Sequence, residues 1–168
     1  AADIGDLNKK IALKPNLVTA KAPSSGATTH SELLAGVIEY LREHGFQNIT
    51  IMEGSWVGDH TEDAFQAAGY HQVCRQYGVP FVDLQRDTWK EYDAEGMKIK
   101  LCDKAAAVDY MINMPVLKGH CQTTVTCALK NNKGVIPNSE KRRFHTLGLH
   151  KPIAHLNTIA RNDFILVD

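Results

Sequence analysis

INMPVLKGHCQTTVTCALKNNKGVIPNSEKRRFHTLGLH, residues 112–150, is the stretch around which the chain is organised. It opens inside DYMINMP, a continuous apolar run that suits a strand buried on both faces of a sheet. Pro115 and Gly119 then turn the chain and place Lys118 and His120 in the turn. Thr123 to Lys130 reads as a helix, with Asn131, Lys133 and Gly134 close to its end, and residues 135–149 read as a basic loop with helical turns. Basic and amide side chains crowd a segment that also carries strong structural signals, which points to a site more than to a surface loop.

Toward the N-terminus, strand and helix patterns alternate. KIALKPNLV, residues 10–18, reads as a short apolar strand that must end or reach an edge at Pro15, because proline has no N–H for a ladder. Residues 19–28 read as a loop. Thr29 and Glu32 have capping-box spacing, and Leu33, Leu34, Val37, Ile38 and Leu41 recur at helical spacing up to Gly45. NITIMEG is a second strand ending on Glu53 and Gly54. A helix follows from Thr61, with Asp59 and Glu62 at capping spacing, then a short helix over 71–77 and the strand PFVDL. Residues 85–96 are polar and irregular; MKIKL suits an edge strand or one arm of a hairpin. Beyond residue 150, Pro152 fits the first turn of a helix, Ile153, Leu156 and Ile159 supply its buried stripe, and DFILVD is the last strand.

This alternation predicts an α/β fold with a mostly parallel sheet, helices on both faces and a small antiparallel edge as an option. Residues 1–168 are expected to form a single α/β domain, a portion of a longer chain. Ligands of such sheets bind outside the carboxyl ends of the strands. Those ends carry Lys14 and Asn16, Glu53, Lys118 and His120, and Asp168.

Composition narrows the classes. Nineteen basic and 19 acidic residues cancel, so nothing draws the whole chain to nucleic acid or to an anionic lipid surface, and an anion site must be local. No apolar run approaches the roughly 20 residues that span a bilayer. Neither nucleic acid nor membrane is expected as a partner. The four cysteines, Cys74, Cys102, Cys121 and Cys127, form no C-x-x-C pair and read as reduced, mostly buried thiols of a cytoplasmic protein. No iron–sulfur run, zinc ribbon or phosphate-loop fingerprint is present.

The chemistry-bearing candidates follow. Lys14, Lys118, Lys130 and Lys133 form a cationic pocket for a phosphate or carboxylate, or are simply solvated. His120 is a general base, a metal ligand, a ligand donor or a hydrogen-bonded structural residue. Glu53 and Asp168 end apolar strands and can orient a lysine or histidine, or cap a helix. His145 follows Lys141-Arg142-Arg143 and can fold back over the pocket, although that basic run is most often solvated. Cys121 adjoins His120, but a nucleophile there needs the two side chains to converge.

These residues carry a resemblance. KPN at 14–16, the pair Thr28-Thr29, EG at 53–54, LKGH at 117–120, Thr126 ahead of LKNNKG at 129–134, His145 and the terminal ILVD resemble the domain-of-unknown-function 362 family along nearly the whole chain. The resemblance implies an α/β domain with Lys14, Asn16, Glu53, Lys118, His120, Lys130, Asn131 and His145 at the family's characteristic positions. It also implies a redox association, since many members carry ferredoxin-type cysteines in an additional segment. A 4Fe–4S cluster would then sit on a missing segment, and the cofactor of these residues is left open. More weakly, the layout is similar to the nickel-dependent lactate racemase superfamily, with no match residue by residue.

The leading expectation is a redox-associated domain that binds an anionic small molecule or cofactor. Lys118, Lys14 and Lys130 bind the anion, Asn16, Asn131, His145 and Asp168 assist, His120 transfers a proton, and Glu53 or Asp168 orients it. The alternatives are a non-catalytic module that docks an iron–sulfur domain or partner protein near Trp56 and Trp89, and a metal site of His120, His145 and a carboxylate.

Overall fold

The computed structural model describes residues 3–168. In chain order, β1 (Ile11–Pro15) leads through α1 (Ser31–Glu43) to β2 (Ile49–Glu53), and α2 (Thr61–Ala67) and α3 (Tyr70–Tyr77) lead on to β3 (Phe81–Asp83). The hairpin β4 (Trp89–Ala94) and β5 (Met97–Cys102), with α4 (Asp103–Ala106), returns the chain to β6 (Tyr110–Met114). A second hairpin, β7 (Lys118–His120) and β8 (Thr124–Thr126), then α5 (Ala128–Asn131), α6 (Asn138–Leu147) and α7 (His150–Ile159), ends at β9 (Phe164–Ile165). Five of these strands form an all-parallel sheet in the order β3-β2-β1-β6-β9, and the two hairpins are separate antiparallel pairs. The fold is thus the expected α/β type.

Side chains alternate between the two faces of a strand. Ile11, Leu13, Ile51, Ile112 and Met114 pack with Leu34, Ile38, Phe65 and Tyr70 of α1–α3. Ala12, Met52 and Met111 pack on the other face with Ile99 of β5 and with Phe144, Ile153 and Leu156 of α6 and α7. Lys14 and Asn113 come next on that second face, opposite each other in register and fully buried. The chain runs outward from β1 to β3 and then crosses back to β6. Strand order therefore reverses between β1 and β6, and in open α/β sheets a crevice forms at the carboxyl ends of such a pair.

Several local expectations need correction. Neither capping box forms: the residues preceding α1 and α2 are His30 and His60, without side-chain caps. Thr29 Oγ1 instead donates to the Met114 carbonyl at 2.8 Å and accepts from Asn16 N at 2.9 Å, tying the ends of β1 and β6 together. The polar stretch 85–96 contains β4, which pairs with MKIKL because a hairpin leaves one face to water and tolerates polar alternation. Lys118–His120 is a strand, not a turn. The helix read over 123–130 splits into β8 and a four-residue α5, since Thr123, Thr124, Val125 and Thr126 are β-branched and favour extended backbone. Thr124 has φ +62°, an unusual setting for a β-branched residue. The basic loop 135–149 contains a ten-residue helix, α6, which buries Phe144 and Lys141. DFILVD contributes only Phe164 and Ile165 to the sheet. All four cysteines are unpaired; Cys102 is buried, but Cys121 is exposed.

Candidate functional site

The base of the crevice is an ion pair. Lys14 Nζ lies 2.9 Å from Glu53 Oε2, with the two side chains 0% and 4% exposed. Lys14 also donates to the Pro15 carbonyl at 3.2 Å. Glu53 Oε2 accepts from Leu17 N at 3.2 Å, and its Oε1 accepts from Gly54 N at 2.7 Å. Burial lowers the Lys14 pKa, and the Glu53 charge and hydrogen bond act in the opposite direction. Gly134 closes over this pair: a Cβ there would stand 1.7 Å from Glu53 Oε1 and 2.7 Å from Lys14 Nζ. Only glycine lets the backbone approach so closely.

Asparagines brace the same floor. Asn131 Nδ2 donates to Asn113 Oδ1 at 2.7 Å and to the Lys14 and Pro15 carbonyls at 3.3 Å. Asn113 Nδ2 donates to Asn162 Oδ1 at 2.6 Å and to the Ala128 carbonyl at 3.0 Å, and Asn132 Nδ2 donates to Asn157 Oδ1 at 2.9 Å. Amides that each donate and accept can pass hydrogen bonds from β6 to α7 with no charge left over.

Above this floor is a cleft of about 350 Å³ whose walls carry Lys118, Lys130, Lys133 and Lys141, with Glu53 the only carboxylate among the described lining residues. That carboxylate is already matched by Lys14. Among the described residues, none of the four wall lysines forms an ion pair. Lys118 Nζ donates to Asn16 Oδ1 at 3.0 Å and to the Ala27 carbonyl. Lys141 Nζ donates to the Gly54 and Ser55 carbonyls at 2.9 and 2.8 Å, which anchors the loop after β2. Lys133 Nζ meets His145 Nε2 at 3.1 Å.

Burial and mutual repulsion pull these groups toward their neutral forms. The Lys118 pKa falls to about 8, by burial first and by Lys130 second, with Glu53 opposing. That of Lys133 also falls to about 8, through burial, Lys130 and Lys141. For Lys141, burial brings it to about 8 against the pull of Glu53. Burial likewise lowers the Lys130 pKa. His120 and His145 are lowered by burial and then by the surrounding lysines. Positive groups held together without counter-charge make a place where an anion is favoured.

His120 Nδ1 accepts from Gln122 N at 3.1 Å and from Thr123 N at 3.2 Å. A neutral imidazole so placed carries its proton on Nε2 and can donate to a ligand. In this state Nδ1 is taken up by two backbone amides and Nε2 presents an N–H, so of the expected roles the donor's is the one this geometry suits.

The sequence-derived candidates thus divide into three groups. Lys118, His120, Lys130, Asn131, His145, Asn16 and Glu53 converge on one cleft. Lys14 lies beneath it, sealed by Glu53, and Glu53 holds Lys14 and two backbone amides instead of orienting His120. Asp168 stands apart: its carboxylate accepts from His30 N at 2.8 Å and pairs with the His30 ring at the start of α1. The metal alternative gains no support. Among the described residues, no three histidine, cysteine or carboxylate side chains are grouped to hold an ion. Sequence reasoning missed Lys141 and Thr126 as wall residues. The signal for Lys141 was present: Pro137 before Asn138-Ser139-Glu140 is a helix start, which puts Lys141 and Phe144 on one face.

An α/β domain with a cationic crevice at its topological switch is the class that this geometry defines. Residues 11–168 match the family described as Domain of unknown function (DUF362), and the chain belongs to it. The chain is also similar to the thylakoid-associated protein sll1697 of Synechocystis, with 27% identity over 136 residues, 81% of this chain and 42% of that protein. It therefore spans less than half the length of that relative. No solved structure matches the chain. Among the described residues, no helix is long and apolar enough to cross a membrane.

Proposed function

We propose that the cleft binds a small molecule bearing a compact anionic group, a phosphate or carboxylate, held by Lys118, Lys130 and Lys133 with the His120 Nε2–H as an additional donor. The observation that carries this reading is the cluster of four wall lysines beside which the only lining carboxylate among the described residues, Glu53, is already paired with Lys14. Lys130 is the most telling member: among the described residues its ammonium has neither an ion pair nor a hydrogen-bond partner, so a ligand would give that group its first. Burial, and for Lys118, Lys133 and Lys141 also neighbouring lysines, lowers these pKa values; a bound anion would offset both, so each charge would become more favourable in the complex. The redox association and the docking of an iron–sulfur domain rest on the family resemblance, and a thylakoid setting belongs to the relative.

Titrating inorganic phosphate by calorimetry tests the reading. Lys130→Gln should weaken binding roughly tenfold, the ratio expected for one charge-assisted contact of about 1.5 kcal/mol, while its melting temperature stays level or rises. A variant that binds phosphate as well as the parent chain would remove the proposal.

A further inference from the structure

We infer that the anionic group is carried on a flat ring: the ligand is a planar aromatic or heteroaromatic compound bearing a phosphate or an equivalent dianion, with the ring on Trp56 and the anion among the lysines. This rests on the anion-binding reading above and adds the body of the ligand to its head.

Two features outside the lysine cluster carry the inference. The first is Trp56, which lies on the cleft wall and keeps 52% of its surface exposed. Its backbone is pinned three times: Trp56 N donates to the Val18 carbonyl at 3.0 Å, and the Trp56 carbonyl accepts from Asp59 N at 3.0 Å and from Gln85 Nε2 at 3.3 Å. Gly58 backs the indole, and a Cβ on Gly58 would come within 2.0 Å of the ring. A large ring held from behind and open in front is a stacking platform. Trp89 shows the contrast. Lys100 Nζ stands 4.0 Å from its ring centroid, so that indole already has a cationic partner. No ring or cation contact is made by Trp56 among the described residues.

The second feature is Thr126. It lines the cleft, is 2% exposed, and its Oγ1 is a buried hydroxyl with no hydrogen-bond partner. Buried polar atoms are nearly always satisfied, so an orphan hydroxyl on a cleft wall marks a contact that a ligand completes. Trp56 and Thr126 belong to different segments, the loop after β2 and strand β8, and the lysines complete the wall. The volume of about 350 Å³ is at the small end of ligand pockets, which suits one ring system with its anion.

The test compares ring-bearing and ring-free phosphates on a Trp89→Phe background, in which Trp56 is the only tryptophan. Phenyl phosphate and AMP should bind roughly tenfold or more tightly than ethyl phosphate or inorganic phosphate, the scale of one aromatic stacking contact, and should quench Trp56 fluorescence. Trp56→Ala, read by calorimetry, should bring the ring phosphates down to the level of ethyl phosphate and leave inorganic phosphate unchanged. Thr126→Val should weaken every phosphate without lowering the melting temperature, because it removes a hydroxyl that bonds nothing in the unliganded protein. If ring phosphates bind no tighter than ethyl phosphate, or Trp56→Ala weakens all four equally, the ring inference is overturned and the anion reading stands. If inorganic phosphate itself fails to bind, both fall.

Discussion

The Lys14–Glu53 pair separates a structural carboxylate from a catalytic one. Glu53→Gln removes the charge but keeps one oxygen for either Leu17 N or Gly54 N, and it leaves the Lys14 ammonium at 0% exposure without its counter-ion. Breaking a buried pair from one side costs about 3–5 kcal/mol. With an unfolding entropy of about 2.1 cal/mol/K per residue over 168 residues, that is a fall in Tm of roughly 9–14 °C. Lys14→Met should cost a similar amount, because it strands the carboxylate. The double variant removes both charges and should lose only about 1–3 kcal/mol in all, the cost of the backbone amide that loses its acceptor, so the cycle should show a coupling of at least about 3 kcal/mol. Urea unfolding at pH 7 measures all four corners. Additive losses would refute the strut assignment, as would a Glu53→Gln variant that keeps its stability and loses only ligand binding.

Other consequences follow from the same geometry. Gly134→Ala should destabilise the fold by about 3 kcal/mol or more, seen in the urea midpoint, because its methyl group would collide with Glu53 Oε1 in a packed core. Lys133→Gln removes one of several repelling cations and should raise Tm by roughly 2 °C, while lowering phosphate affinity roughly tenfold. The fold should also gain stability as pH rises. Lys118, Lys133 and Lys141 titrate at about 8 when folded against an ordinary 10.5, so the unfolded chain binds more protons between those values. The cost of charging them is complete below pH 8 and is relieved toward pH 10.5, and a rising Tm across that window checks it. Nitrogen NMR at neutral pH should find His120 as the Nε2–H tautomer, and an Nδ1–H tautomer would contradict its two backbone contacts.

How far the sequence could be read depended on what sets each feature. Apolar runs such as IALKP and YMINM fix their strands locally, and the alternation with amphipathic segments fixes the parallel α/β layout. Asn16 and Glu53 were legible because they sit at strand ends, and the sheet brings such ends together at one edge; Lys118 and His120 follow β6 closely, whereas Lys130, Asn131 and His145 lie on α5 and α6 and were singled out by residue type and by the family resemblance. Contacts decided by strand order were not legible. Lys14 meets Asn113 only because β1 pairs with β6, and it meets Glu53 only because β1 also pairs with β2, which makes Lys14 half of a buried ion pair. Thr29 and Asp59 matched capping spacing, yet tertiary partners far away in sequence took their side chains. The 123–130 segment shows a competition of another kind: its helical spacing lost to a β-branched run that joined a hairpin with Lys118–His120. Lys141 was hidden in a run of three basic residues, of which α6 buries one.

The most direct test of the anion cleft is the proton balance of phosphate binding, measured by calorimetry at pH 8 in buffers of different ionisation enthalpy. Lys118 and Lys133 are each about half protonated at that pH. A bound anion raises both pKa values, so the complex should take up roughly one proton, and Lys130→Gln should weaken the binding that drives this uptake. Binding with no proton uptake, or with proton release, would contradict the account.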